Sequence, residues 1–277
     1  MVKHEAWQLH GSATDLYERY LVPTLFTPWA HDLLATAQLQ PGERVLDVAC
    51  GTGSVTRLIG AQIGPQGQLT AVDLNADMLS AAQTYVATTT PAIRWLQADV
   101  VDMPVDDDDF DVVLCQQSFQ FFPDKLGALR EMHRVLAPGG RLAFNISRDL
   151  ARNPYIRALA DGLERHIGVA AGESMRAPCG FGDAEQVRTL LKQAGFGTIH
   201  MRISCLMVRH PHPAEFIRGQ LAATPVADQV AALDEAGQRA LVDEILTALR
   251  CYLDDDGLAA PYETYIVLAH AGRNSQV

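Results

Sequence analysis

The residues with the clearest chemical purpose lie in Val45-Leu46-Asp47-Val48-Ala49-Cys50-Gly51-Thr52-Gly53. An apolar run enters a turn holding Gly51 and Gly53, and glycine opens backbone angles closed to other residues and lets a ligand approach the main chain. Asp47 stands at the end of the run, near where a pyrophosphate would lie, and Thr56 replaces the third glycine of a dinucleotide fingerprint. A carboxylate there disfavours an anionic ligand and favours a cationic one. Twenty residues past Gly53 a second apolar run ends in Asp73, placed to accept both hydroxyls of a ribose. A third run is followed by Asp99-Val100, suited to an adenine amino group, and a fourth ends in Cys115-Gln116-Gln117. Each feature closes a strand-like run, and the carboxyl ends of parallel strands form the ligand crevice of an open α/β sheet.

The elements that must position these residues follow from patterning. Strand-length apolar runs at 44–49, 68–73, 93–96, 110–115 and 140–146 alternate with helix-period stretches such as 54–63, 75–87 and 124–136. Repeated βα units predict an α/β fold with a largely parallel sheet covered by helices on both faces. Unbroken rather than alternating apolar character fits strands buried on both sides. Ser12 with Asp15 caps a helix predicted over 13–22, and Thr27-Pro28 opens a second over 28–38. Beyond the fifth strand, residues 150–181 read as partly helical, 183–194 as a helix capped by Asp183, and 198–208 as a sixth strand. Residues 213–255 are mainly helical, with Leu241, Ile245, Leu249 and Tyr252 on one face; 262–270 supplies the last strand and 272–277 a frayed tail.

Composition narrows the function. The 277 residues carry 22 Lys+Arg against 33 Asp+Glu, a formal charge of −11, which weighs against a broad phosphate-binding surface, so no nucleic-acid partner is expected. The longest apolar runs, such as 265–269, fall far short of the roughly 20 residues a membrane span needs. No basic segment followed by an apolar stretch opens the chain, which reads as cytoplasmic. The five cysteines (50, 115, 179, 205 and 251) form no C-x-x-C pair, and His210-Pro211-His212 lacks a third ligand at a recognisable spacing, so no disulfide framework and no metal site are expected. The acidic runs 106–109 and 254–256 read as solvated loop charge.

At this point the sequence resembles the class I S-adenosylmethionine-dependent methyltransferases. Asp47-Val48-Ala49-Cys50-Gly51-Thr52-Gly53 is similar to their first motif, Asp73-Leu74-Asn75-Ala76-Asp77-Met78-Leu79 to the acidic-loop motif, and Ala98-Asp99-Val100 to the adenine motif. Residues 129–140, Leu129 to Gly140, match the helix and turn into the fifth strand, and the closest style is that of the ubiquinone and menaquinone biosynthesis C-methyltransferases. The resemblance implies a Rossmann-like sheet of seven strands in the order 3-2-1-4-5-7-6, strand 7 antiparallel. It implies one methyltransferase domain over 1–277: a helical cap at 1–40, a cofactor-binding core at 41–150, and a C-terminal half at 151–271 with a helical lid at 213–255. By position, Asp47, Ala49 and Gly51 would surround the methionine part of S-adenosylmethionine, with Gly53 also cofactor-binding, Asp73 would hold the ribose, and Leu74 and Met78 would sandwich adenine. Asp99 and Val100 would read the adenine edge, the Gln116 backbone would face the methionine amino group, and Tyr20 would cap the pocket.

The acceptor is open. Residues expected near the transferred methyl are Tyr17, Gln117, Ser118, Gln120, Phe121 and Arg148, and candidates for acid/base work are Tyr17, Tyr20, His10 and His31. In-line methyl displacement needs alignment more than proton transfer. Phe216, Leu221 and Tyr252 would form a water-excluding lid. Cys115-Gln116-Gln117-Ser118 differs from the Asn/Asp-Pro-Pro-Tyr motif of nucleobase methyltransferases, and Asn153-Pro154-Tyr155 follows the wrong strand, which favours a small, partly apolar acceptor methylated on O, N or C. Two alternatives stand beside methyl transfer: a non-catalytic S-adenosylmethionine-binding protein, and an NAD(P)-dependent oxidoreductase, against which Asp47 and Thr56 count.

Overall fold

The computed structural model describes residues 12–86 and 90–272. Its sheet contains β1 (Arg44–Val48), β2 (Gln68–Asp73), β3 (Ile93–Gln97), β4 (Phe110–Gln116), β5 (Leu136–Ser147), β6 (Phe196–His210), β7 (Leu253–Asp254) and β8 (Gly257–Ala271). The strands run β3-β2-β1-β4-β5-β8-β6, with β7 paired to β8 off that path. β1 pairs in parallel with both β2 and β4, whereas β8 is antiparallel to β5 and β6. The order expected from the resemblance therefore holds for the seven main strands. The count is eight because Asp254 to Gly257 turn tightly enough for Leu253 to pair with Leu258.

Burial follows strand position. Val45, Leu46 and Val48 of β1 and Val112, Val113 and Leu114 of β4 are almost fully buried, as central parallel strands covered on both faces must be. The edge strand β6 is largely exposed, and β8 alternates between buried and half-buried residues. β6 and β8 are both longer than the apolar runs suggest, since antiparallel pairing carries polar positions such as Arg202, Ser204 and Thr264 along the ladder.

The N-terminal helices depart from expectation. Helix α1 (Ser12–Leu16) passes into a π-helical stretch, Tyr17–Phe26, and then into α2 (Thr27–Ala37) without the break expected at Thr27-Pro28. The junction residues Leu16 and Phe26 keep right-handed helical angles, and the Thr27 N–H bonds the Val22 carbonyl five residues back. The wider turn absorbs Pro23, which an α-helix interior would not.

Helices α3 (Thr56–Ile63), α4 (Ala76–Tyr85) and α5 (Lys125–Arg134) follow the first strands, and α4 is capped by Asn75, whose side chain accepts the Asp77 and Met78 N–H groups. After β5 come α6 (Pro154–His166), α7 (Val169–Arg176) and α8 (Ala184–Gln193), the last capped by Asp183. Three more, α9 (Pro213–Ala222), α10 (Ala227–Ala231) and α11 (Glu235–Ala248), occupy the segment between β6 and β8. Phe216, Leu221, Leu241, Ile245 and Leu249 form an apolar core with Tyr155, Leu159 and Leu163 of α6, distinct from the clusters on either face of the sheet. No described helix is long and apolar enough to cross a membrane.

Candidate functional site

The carboxyl ends of β1, β2 and β4 open into a cavity of about 830 Å³, roofed by the π-helical stretch. The turn after β1 is built from left-handed residues, Ala49 (φ 53°), Gly51 (φ 55°) and Gly53 (φ 83°), so main-chain atoms instead of side chains face the opening. Asp47 is 1% exposed, and its Oδ2 accepts the Thr56 hydroxyl at 2.5 Å. Its carboxyl is pushed up to about 7, chiefly by burial, with the Thr56 bond pulling it down and the negative charge of Asp73 adding to the rise. Asp73 accepts the Gly51 N–H through Oδ2 and the Asn75 N–H through Oδ1, each at 2.8 Å. Its carboxyl is also raised by burial, against the downward pull of those backbone bonds.

A second polar group lies after β4. Gln117 adopts a left-handed conformation (φ 50°), and its N–H meets the Asn145 carbonyl at 3.1 Å and Asn145 Oδ1 at 2.9 Å. Its Oε1 accepts from Ser147 Oγ at 2.9 Å, and that hydroxyl bonds the Tyr262 hydroxyl at 2.8 Å. Gln120 Nε2 donates to the Gln117 carbonyl at 3.0 Å, and Gln116 Nε2 to the Phe26 carbonyl at 2.9 Å. Gln116 Oε1, Gln117 Nε2 and Gln120 Oε1 are buried and have no protein partner. Buried amides rarely go unsatisfied, and these three belong to residues that line one cavity, a polar stretch of its wall.

Most of the residues that the sequence motifs single out meet on this cavity: Tyr17, Asp47, Ala49, Gly51, Asp73, Leu74, Met78, Asp99, Val100, Gln116, Gln117, Ser118, Gln120 and Phe121. Tyr17 stacks on Phe26, with ring centroids 4.9 Å apart, and its hydroxyl is pushed well up by burial and by the carboxylates of Glu18 and Asp73.

Four others lie elsewhere. Gly53 faces α4, where a Cβ would come within 2.5 Å of Val86. Tyr20 covers Gly219 of α9 and donates its hydroxyl to Glu215, and His31 is exposed on α2. Arg148 pairs with Glu263 and lies over the Tyr265 ring, 5.1 Å from its centroid, because β8 runs beside the end of β5. His10 lies outside the described residues.

The expected lid is not formed as the sequence suggests. Phe216 is sandwiched between Tyr155 and His210, with centroids 5.6 and 4.9 Å away, and Leu221 and Tyr252 pack in the same cluster. From residues 213–255 only Gln220 reaches the cavity, its Oε1 held by the Tyr155 hydroxyl at 2.5 Å. The second wall comes instead from Ile156, Ala177, Pro178, Gly180 and Phe181, most of them in a segment whose sequence shows no clear periodicity. Asn153 is a strut: its amide donates to the carbonyls of Arg148, Asp149 and Glu263 and accepts the Glu263 N–H. Among the described residues, no group of three His, Cys, Asp or Glu could hold a metal ion.

Arg57 belongs to the site although no sequence motif marks it. Its guanidinium donates to the Gly53 and Thr52 carbonyls at 3.0 and 2.9 Å and pairs with Glu18 at 2.6 Å, tying the glycine turn to the helix that roofs it. Its place in the first turn of α3, four residues past Gly53, is the signal the sequence offers for it.

Known proteins are similar to this chain in part of its sequence and in its fold. Residues 45–140 match the model of a methyltransferase domain. The chain is 37% identical over 112 residues to a demethylmenaquinone methyltransferase of Staphylococcus epidermidis, covering 40% of this chain and 46% of that protein. It is 36% identical over 130 residues to the ubiquinone/menaquinone biosynthesis C-methyltransferase UbiE of Ectopseudomonas mendocina, covering 46% and 51%. The chain thus spans about half the length of the curated relatives it matches. The solved structure of the YcgJ protein of Bacillus subtilis matches with a TM-score of 0.60 at 16% identity, over 88% of this chain and 97% of that one, a likeness of fold. The class that the match defines is that of a methyltransferase domain over residues 45–140. Over that part the chain is similar to the ubiquinone and menaquinone methyltransferases.

Proposed function

We propose that the protein transfers a methyl group from S-adenosylmethionine to a small, partly apolar acceptor, within a single domain that includes the C-terminal half. The observation that carries the reading is the convergence on one cavity of Asp47, Asp73 and Asp99 from three strand ends with the left-handed turn at Ala49 to Gly51. The polar set suits a cationic nucleoside: two carboxylates near the main-chain cradle favour a sulfonium and an ammonium and repel a pyrophosphate. In this assignment Asp73 accepts from the ribose hydroxyls while it still holds Gly51 and Asn75, since a carboxylate offers about four acceptor sites. Leu74, 41% exposed, and Met78 supply apolar faces for adenine, and Asp99 and Val100 its edge.

Bound there, S-adenosylmethionine would supply a methyl carbon already activated by its positive sulfur. The protein's part is alignment and exclusion of water, and positioning alone can contribute on the order of 10 kcal/mol. Gln117 and Gln120 hold the acceptor, with Ser147 and Tyr262 fixing the Gln117 amide. Leu21, Leu25 and Ile156 give the apolar wall. Burial pushes the hydroxyls of Tyr17 and Tyr262 far up, which makes both poor proton acceptors at neutral pH and suits a reaction run on an acceptor that needs no protein base.

Calorimetric titration with S-adenosylmethionine, S-adenosylhomocysteine and NAD tests the reading. The first two bind and NAD does not, and Asp73→Ala weakens S-adenosylhomocysteine by at least about tenfold, the worth of charge-assisted bonds to the ribose. NAD binding, or equal affinity in the variant, would overturn it. Binding without methyl transfer from labelled donor to any metabolite of a cell extract would point to a non-catalytic binder.

A further inference from the structure

The cavity wall that faces no expected cofactor group has an uneven chemistry. The loop after β4 and the segment before α8 contribute Phe121, Phe122, Pro123, Pro178 and Phe181, all flat or apolar. Set among them is Lys125, the first residue of α5 and, among the described residues, the one cationic side chain on the lining. Its Nζ donates to the Phe122 carbonyl at 2.9 Å and lies 4.8 Å from the centroid of the Phe181 ring. No carboxylate pairs with it among the described residues, in a protein of formal charge −11 whose other well-buried cations mostly find acidic partners. Partial burial without a counterion lowers the Lys125 ammonium, the cost of holding charge away from water. An ammonium has three donors, and one carbonyl uses only one of them. Lys125 and Gln117 both line the cavity.

We infer that Lys125 is a specificity-determining residue that selects an acceptor carrying an anionic oxygen, a carboxylate or an ionised phenol, on a planar apolar body stacked against Phe181. The inference rests on the methyltransferase reading for the word acceptor, but the anion site stands on its own. It also gives the acceptor a reason to need no protein base. An ionised oxygen beside the ammonium either is itself the nucleophile, the carbon–sulfur bond breaking to release S-adenosylhomocysteine, or takes up the proton that a neighbouring atom of the acceptor loses when that atom is methylated.

The test compares 1-hydroxy-2-naphthoate with 1-hydroxy-2-naphthamide, probes of equal shape and different charge, by calorimetry with and without saturating S-adenosylhomocysteine. The wild type should bind the acid about tenfold tighter than the amide, as expected for hydrogen bonds to a charged group in a half-buried site. Lys125→Met should erase that preference and Lys125→Arg should keep most of it, with the S-adenosylhomocysteine affinity of both variants serving as the check on folding. Equal binding of acid and amide by the wild type, a preference that survives in Lys125→Met, or failure of both probes to bind would overturn the inference. Failure of S-adenosylhomocysteine to bind while the acid preference depends on Lys125 would overturn the cofactor assignment and leave the anion site standing.

Discussion

At the scale of single residues, Asp47 is the most constrained group in the site. Its carboxyl stands at about 7 in the folded chain, against an ordinary value near 3.8, because burial outweighs the Thr56 hydrogen bond. Between those two values the native protein keeps a proton that the unfolded chain has released, so stability contributed by this group falls as pH rises from about 4 to 7 and is level above. Asp47→Asn removes the titration. Urea midpoints of the two proteins at pH 5 and pH 8 should therefore show wild type losing ground to the variant at the higher pH; parallel changes would refute the assignment. A cationic ligand reverses the preference by favouring the ionised carboxylate. S-adenosylmethionine should accordingly gain affinity between pH 6 and 8, with proton release visible as a dependence of the binding enthalpy on buffer, and Asp47→Asn should show neither effect.

At the scale of elements, the turn between β1 and α3 separates two glycines that look alike in the sequence. Both are left-handed, yet a Cβ on Gly51 would meet nothing within 4 Å and would enter the cavity mouth, whereas one on Gly53 would strike Val86 at 2.5 Å. Gly53→Ala should lose about 1–3 kcal/mol in chemical denaturation, combining backbone strain with a forced shift of the segment after α4. Gly51→Ala should be less destabilised and should bind S-adenosylhomocysteine more weakly than Gly53→Ala does. A reversed ranking in both measurements would mean that Gly53, not Gly51, borders the ligand. Neither the dihedral angles nor the packing of Gly53 against Val86 can be read from a G-x-G spacing, since that spacing encodes freedom and not its use.

At the scale of the whole molecule, polar bonds tie the roof to the core at separate points. Glu18 and Arg57 join the π-helical stretch to the glycine turn, Gln116 joins β4 to the Phe26 carbonyl, and Asp32 of α2 accepts from Arg202 and Ser204 of β6. The Glu18 side chain is 9% exposed and that of Arg57 27%. Glu18→Ala strands a partly buried guanidinium that keeps two backbone acceptors, so the cost should be about 1–3 kcal/mol, less than for a fully buried pair. Because the roof also closes the cavity, the same variant should bind S-adenosylhomocysteine several-fold more weakly. A loss of stability with unchanged affinity would show that the roof does not contribute to binding.

The parallel strands and most of the cavity's first wall are legible in the sequence itself, for a local reason, whereas the sheet order is what the family resemblance implies. A parallel strand buried on both faces must be continuously apolar, and the residue that ends it must face the crevice, so Asp47, Asp73, Asp99 and Gln116 announce their own positions. The second wall is not written in any local pattern. Ile156, Phe181, Gln220 and Tyr262 reach the cavity because β8 returns antiparallel between β5 and β6 and carries the C-terminal helices back over the strand ends. The same return swings Arg148 onto Glu263, buries Phe216 and Leu221 in a core of their own, and turns Tyr20 onto Gly219. Long-range packing decides such orientations, since a tyrosine or arginine at helical or strand spacing has more than one face to bury against and only the assembled neighbours choose between them.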